Sequence, residues 1–321
     1  MLNKILTYLL IIFFSLISSA NADIKVVTSI KPIHSLVSYV MDGVGKPNII
    51  VDGYNSPHGF SLKPSHAKML ENADLVIWVG EDLEAFLEKP LKTIAKKAKN
   101  IEVMDLKGIK KLEFREKNIF EEHDEHGHAE HKENDEHKEH DEHKEKDSHE
   151  GHAHGEHDPH VWLDPINAKL IIKEITKQLV QLDAKNSSAY KSNSKKALAE
   201  MDNLIQTIQK DLNKDLRFVV FHDAYQYFEN RFGIQVLGSL TVNTDVMPGA
   251  EQLSEIREVI EHEKVNCLFS EPQFNPAIIK SIAKDTNVKI GTLDPLGAKL
   301  DKSKNLYFNL LKDMSSSFKG C

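Results

Sequence analysis

The chain has 321 residues, 40% of them hydrophobic and 28% charged, with a formal net charge of −8. That length is too great for one hydrophobic core and suits two domains. Residues 121–158 hold 16 acidic residues against 4 Lys, a balance of −12, so the rest of the chain sums to about −8 + 12 = +4. A body so close to neutral argues against nucleic acid as a partner.

At the N-terminus, Lys4 precedes an apolar run over 5–17, and Ala20 and Ala22 follow with the A-x-A spacing of a secretory cleavage site. Residues 1–22 therefore read as a signal peptide, and the run is short for a bilayer span of about 20 residues. No Cys follows the small residues, which argues against a lipid anchor. The mature chain is expected to start near Asp23, outside the cytoplasm and with no stable membrane insertion.

Apolar strands then alternate with helical patterns. Strands are expected at 24–29, 48–51, 74–79 and 101–104. Helices are expected around 36–41 and 64–72, with a further helical stretch interrupted by Pro90. This alternation predicts parallel βα units in a lobe spanning 23–166. Within it lies a low-complexity insertion at 121–158, holding eleven of the 17 His residues. With almost no apolar residues it cannot offset the entropy of ordering, so a mobile loop is expected. Its histidines (His123, His126, His128, His131, His137, His140, His143, His149, His152, His154 and His157) are candidates for loose, multiple metal binding.

Helical spacing covers 168–182 (Leu170, Ile171, Ile175, Leu179, Leu182) and 188–212 (Ala197, Met201, Leu204, Ile205, Ile208). Residues 167–214 are expected to form linking helices, with a long rigid one between two lobes. The second lobe, 215–321, repeats the alternation. Its strands are expected at 217–221, 234–240, 265–269 and 288–292, and its helices at 251–263 and 276–285. The fold class is α/β, with two parallel-sheet lobes and a cleft between them.

Three of the remaining histidines each follow an apolar strand or sit in a Pro/Gly-bounded loop, and of these three and Asp294, three lie at the carboxyl edge of the strands, where ligands gather in open α/β sheets. His58 lies in Ser56-Pro57-His58-Gly59 and His160 in Asp158-Pro159-His160. His222 ends a strand, as does Asp294 in Leu293-Asp294-Pro295. Two come from each lobe, so an ion bound by all four would bridge the cleft. Three imidazoles and a carboxylate form a closed N₃O set that suits tetrahedral Zn²⁺ and leaves no open position for catalysis. The gaps of 102, 62 and 72 residues match no local motif, so satisfied or surface histidines remain an alternative. His34, His66 and His262 read as structural or solvated. Glu271 and Asp223 lie near the cleft by sequence, and either could fix the tautomer of a ligand imidazole. Asp223 could equally cap the helix that follows it. The even count of two Cys in a secreted chain favours a disulfide between Cys267 and Cys321.

The stretches SIKPIHSLV (29–37), SPHGFSLKPS (56–65), ADLVIWVG (73–80), DPHVWLDP (158–165), FHDAYQYF (221–228), EPQF (271–274) and TLDPLG (292–297) resemble the metal-specific substrate-binding proteins of ABC importers, in particular the periplasmic zinc-binding type. With the His-rich insertion and the two Cys, the resemblance spans nearly the whole mature chain. It implies a non-enzymatic, monomeric protein that captures Zn²⁺ in the periplasm and delivers it to a membrane permease. It carries the ligand role onto His58, His160 and His222, and the fourth place onto Asp294 or water. Zinc-binding relatives can carry a carboxylate before the first His, where Pro57 stands here. Manganese-binding relatives carry Glu in place of His222, which tilts the expectation to Zn²⁺ over Mn²⁺ or Fe²⁺. The same resemblance pairs the two Cys. A metal-dependent adhesin is an alternative, against which the missing lipid-attachment Cys argues. A zinc hydrolase is disfavoured by the absence of H-E-x-x-H.

Overall fold

The computed structural model describes residues 23–115, 117–119, 156–242, 244 and 248–321. The expected signal peptide and His123 to His154 of the insertion fall outside these residues. The described chain forms two four-stranded sheets, each wholly parallel.

The first sheet contains β1 (Val26–Thr28), β2 (Asn48–Ile49), β3 (Leu75–Trp78) and β4 (Lys99–Glu102), in the order β2-β1-β3-β4. β1 and β3 read VVT and LVIW and are buried throughout, as central parallel strands covered on both faces must be. The second contains β5 (Arg217–His222), β6 (Gln235–Thr241), β7 (Cys267–Ser270) and β8 (Lys289–Thr292), in the order β6-β5-β7-β8. In both, the order of strand addition reverses beside the first strand, between β1 and β3 and between β5 and β7. Such switch points open a crevice at the carboxyl ends of the strands.

In the first lobe, α1 (Lys31–Val40), α2 (Pro64–Glu71) and α3 (Glu81–Thr93) follow β1, β2 and β3. Pro32 and Pro64 stand in the first turns of α1 and α2, where the absent N–H has no helical partner to lose. The break expected at Pro90 falls instead at Glu84 (φ −129°, ψ 47°), while Pro90 lies inside the helix. Glu84 is fully buried, and its Oε2 accepts from the backbone N of Val79 (2.7 Å) and Gly80 (3.3 Å) at the end of β3. The local backbone bends to let that carboxylate satisfy the strand end.

After the insertion, α4 (Pro165–Leu182) starts from Asp164, whose side chain accepts from Ile166 N at 2.8 Å. A short 3₁₀ turn leads into α5 (Ser187–Asp211), the long helix joining the lobes. It is more than a spacer. Its face of Tyr190, Ala197, Met201, Leu204, Ile205 and Ile208 is buried, and it packs against α1 and α4.

The second lobe adds α6 (Gln226–Phe232), α7 (Ala250–His262), α8 (Ala277–Thr286) and α9 (Leu306–Lys319). The short α6 is the helix expected after Asp223, whereas the C-terminal α9 was not anticipated from the sequence. α9 returns to pack on α1 and α5, so one hydrophobic core runs through both lobes. A second, smaller core lies between β5, β6, β7 and helices α7 and α8. Phe318 of α9 meets Phe218, Phe228 and Phe269 at centroid distances of 4.8, 5.5 and 5.4 Å. Cys321, just beyond α9, is bonded to Cys267 at the start of β7, as the even Cys count and the resemblance anticipated.

Two stability predictions follow from these features. The disulfide closes a loop of 54 residues, and removing that cross-link costs about 4 kcal/mol on the chain-entropy account. Cys267→Ser/Cys321→Ser should therefore unfold at lower denaturant concentration than the parent, and reductant should bring the parent to the same midpoint. Burial raises the Glu84 carboxyl to about 7, against weaker lowering by Ser29 and the two backbone N–H groups. Above its unfolded value near 4.5 the open chain releases this proton while the native state keeps it, so folding loses stability as pH rises to about 7. Glu84→Gln should then gain stability over the parent across that window, by up to ~3 kcal/mol above pH 7; urea titrations at pH 5 and pH 8 measure the difference.

Candidate metal centre

The three expected imidazoles come from different elements. His58 lies in the loop between β2 and α2, where its backbone N bonds Ser56 Oγ at 3.2 Å. His160 precedes a 3₁₀ turn, Val161–Leu163, that leads into α4. His222 is the last residue of β5. His160 and His222 are almost fully buried and His58 is half-buried.

One ligand atom from each of His58, His160 and His222 lies within 4.8 Å of the others, a spacing that could hold a metal ion. The ring centroids stand 5.2 to 5.9 Å apart. The Nε2 atoms of His160 and His222 are 3.4 Å apart. In a tetrahedral zinc site with Zn–N near 2.0–2.1 Å, donor atoms are separated by about 3.3–3.4 Å. Those two nitrogens already stand at the edge length of such a site. Ser56, Pro57, Trp162, Gln273, Phe274, Pro295 and Leu296 close the surroundings, leaving about 10 Å³ open to the centre of a water-sized sphere. That is room for a single small particle.

Carboxylates fix the orientation of both buried rings. His160 Nδ1 is 2.7 Å from Asp158 Oδ1, which also accepts from His160 N at 2.9 Å. His222 Nδ1 is 2.6 Å from Glu271 Oε1. Each Nδ1–H is thereby donated backwards, and each Nε2 lone pair points into the cavity. Glu271 follows β7, so it and His222 straddle the switch point of the second sheet. Glu271 thus has the tautomer-fixing geometry considered from the sequence. Asp223 neither bonds His222 nor caps α6, whose N-cap Tyr225 makes no side-chain cap. Instead it accepts from Arg115 Nη1 at 2.9 Å. Asp158 was missed. Its signal was the Asp-Pro-His spacing, which lets a carboxylate reach the backbone N and the ring two residues on.

Asp294 is not brought to the three imidazoles. Its Oδ1 accepts from Gln273 Nε2 (2.9 Å) and Leu296 N (3.3 Å), and its Oδ2 from Lys299 N (3.3 Å). The other histidines behave as expected. His34 is buried in α1, with Nε2 3.2 Å from Pro47 O. His66 Nδ1 accepts from Lys63 N at the start of α2, and His262 ends α7. Among the insertion histidines only His157 is described, where it forms an antiparallel bridge with Glu113.

The His160 loop is pinned to the second lobe. Trp162 Nε1 donates to Pro295 O (2.8 Å), Tyr307 OH to Trp162 O (2.6 Å), Tyr227 OH to Asp158 O (2.7 Å), and Arg231 makes a two-pronged pair with Asp164 (2.7 and 2.6 Å). The other end of the insertion is pinned too. Asn118 O accepts from Ser239 N of β6 at 2.8 Å, and Ile119 bridges Gly238. A Cβ on Gly238 would stand 2.7 Å from Asn118 O, so only glycine admits this contact. Arg115 bonds both Asp223 and the buried Glu229 (3.1 and 2.8 Å), supplying the countercharge their burial requires. Burial still raises these two carboxyls, to about 6 and about 7.

The electrostatics of the two buried imidazoles are opposed. Burial, then His222, push His160 well below the usual imidazole value. Burial also pushes His222 down, but Glu271, Asp223 and Asp158 outweigh it and raise the ring. Burial lifts Asp158 to about 7.

Fold and site together define a two-lobe α/β protein with a cluster of three histidines that could hold a metal ion. The family described as "ZnuA: Zinc-uptake complex component A periplasmic" matches residues 26–321. The chain is 44% identical over 304 residues to the high-affinity zinc uptake system protein ZnuA of Brucella abortus, covering 92% of this chain and 91% of that one. It is 39% identical over 311 residues to the protein of the same name from Yersinia pestis, covering 94% and 92%. A solved structure titled "Crystal structure of ZnuA" superposes with a TM-score of 0.71 at 22% identity, over 92% of this chain and 99% of that one. The chain belongs to the ZnuA family.

A cation at Nε2 must displace the proton that His222 holds more tightly than an ordinary imidazole of about 6.5. Apparent affinity for Zn²⁺ should therefore begin to fall above that pH on acidification and keep falling below it. Competition titrations from about pH 8 to 5.5 measure this; a flat profile would contradict proton displacement at the centre.

Proposed function

We propose that this chain captures Zn²⁺ in the periplasm with His58, His160 and His222 and passes it to the membrane permease of an ABC importer, performing no catalysis. The observation that carries the reading is the convergence of three imidazoles, 102 and 62 residues apart in sequence, on one small cavity at the spacing of a zinc coordination shell. Membership of the zinc-uptake family supports the same ion. So does chemistry: three neutral imidazoles suit borderline-soft Zn²⁺ better than the oxygen-preferring Mn²⁺. Export to the periplasm accords with the apolar leader. Among the described residues no helix is long and apolar enough to cross a membrane.

Capture without chemistry follows from where the acids stand. Asp158 and Glu271 face the rear nitrogens of the imidazoles, where they orient ligands and activate no water. The fourth position goes to Asp294 when residues 292–297 release its carboxylate from Gln273 and the two backbone N–H groups, and to water while they hold it. The insertion histidines serve as weak collecting sites ahead of the centre.

The test is zinc affinity by competition with a chromophoric chelator. His222→Ala should lose more than the ~10–100-fold that removing a supporting group costs, whereas His262→Ala, at the end of α7, should bind as the parent does. Asp294→Ala should fall between them. Equal losses at positions 222 and 262 would refute the assignment.

A further inference from the structure

The three imidazoles are neutral donors, so they leave the two positive charges of a divalent ion uncompensated in a buried cavity. Isolated buried charge is strongly disfavoured unless it is paired. Among the described residues two anionic side chains touch the ligand rings: Asp158, fully buried behind His160, and Glu271, almost fully buried behind His222. They come from opposite lobes, each bonded to the nitrogen opposite the one facing the cavity. Asp158 Oδ2 is buried without a hydrogen-bond partner, and Glu271 lies beside the buried Tyr225 hydroxyl. The remaining nearby acids are engaged. Asp223 and Glu229 share Arg115, and Asp294 is held by Gln273 and its own loop.

We propose that Asp158 and Glu271 are positioning residues that set the charge selectivity of the centre, placing anionic charge directly behind two of the imidazoles that face the ion. The proposal rests on the reading of the histidine cluster as the ion-binding centre. It assigns these carboxylates a role beyond fixing tautomers. A divalent ion gains more from that anionic charge than a monovalent ion of similar ligand preference does. Zn²⁺ and Cu⁺ therefore respond differently to loss of one carboxylate.

Amide substitution separates charge from hydrogen bonding, because an amide oxygen still accepts the Nδ1–H bond. Zn²⁺ and Cu⁺ affinities are measured by chelator competition, without oxygen for Cu⁺, on the full mature chain and on Asp158→Asn, Glu271→Gln and the double variant. Each single variant should lose about 10–100-fold for Zn²⁺ and much less for Cu⁺, lowering the Zn²⁺/Cu⁺ affinity ratio at least tenfold, with a further drop in the double variant. Zinc affinity within threefold of the parent, or equal losses for both ions, would overturn the proposal. Metal-free thermal unfolding monitors folding, and Glu271→Gln in the second lobe carries the test if Asp158→Asn does not fold. His160→Ala and His222→Ala are measured alongside: unchanged zinc binding there would sink the centre itself, whereas loss there with unaltered amide variants would sink the charge argument alone.

Discussion

Two imidazole nitrogens, one from each lobe, face each other at 3.4 Å with their lone pairs directed into the same small space. With Asp158 and Glu271 accepting behind both rings, neither can turn its N–H inward, so the pair repels unless a proton or a metal ion stands between. Much of the surrounding architecture serves to hold this unfavourable contact. Tyr227, Trp162, Tyr307 and Arg231 fasten the loop bearing His160 to the second lobe. β5 carries His222 at its end, paired there with Thr241 of β6. A cation that replaces repulsion by coordination binds into a geometry that needs little further ordering, which is the physical content of preorganisation.

The lobes are also joined away from the centre. α5 and α9 each pack on α1, so the interlobe contact is a continuous apolar core as well as a cleft. Lys31 of α1 donates from Nζ to Ala298 O and Leu300 O, tying the start of the first lobe to the loop after β8. The disulfide then fixes the end of α9 to β7, the strand that leads to Glu271. Restraint on the second imidazole thus runs from the C-terminus through one strand to a single carboxylate.

Much of this was legible in the sequence, and the exceptions have physical causes. Alternating apolar strands and helical patterns located all eight strands to within a few residues, because buried parallel strands are continuous apolar runs. The three histidines were legible because each ends a strand or sits in a Pro- or Gly-bounded loop. Asp294 sits at the expected sheet edge, yet the amides of its own loop and Gln273 compete for its oxygens, and no local pattern reports such competition. Arg115 was invisible because its partners lie 108 and 114 residues away. Helix α9 was overlooked although Leu306, Leu310, Leu311, Met314 and Phe318 recur at helical spacing; the Ser315-Ser316-Ser317 run hid the period.

The bridge between Glu113 and His157, with Asp158 N donating to Leu112 O, closes the acidic insertion at its own base. Beyond that closure, the entropy of joining the ends grows only logarithmically, by about 0.6 kcal/mol for each doubling of length. Segments of quite different size can therefore be grafted between these two short pairings while His160 keeps its place. The same arrangement lets the composition of that segment drift toward any metal-collecting chemistry without altering the fold that receives the ion.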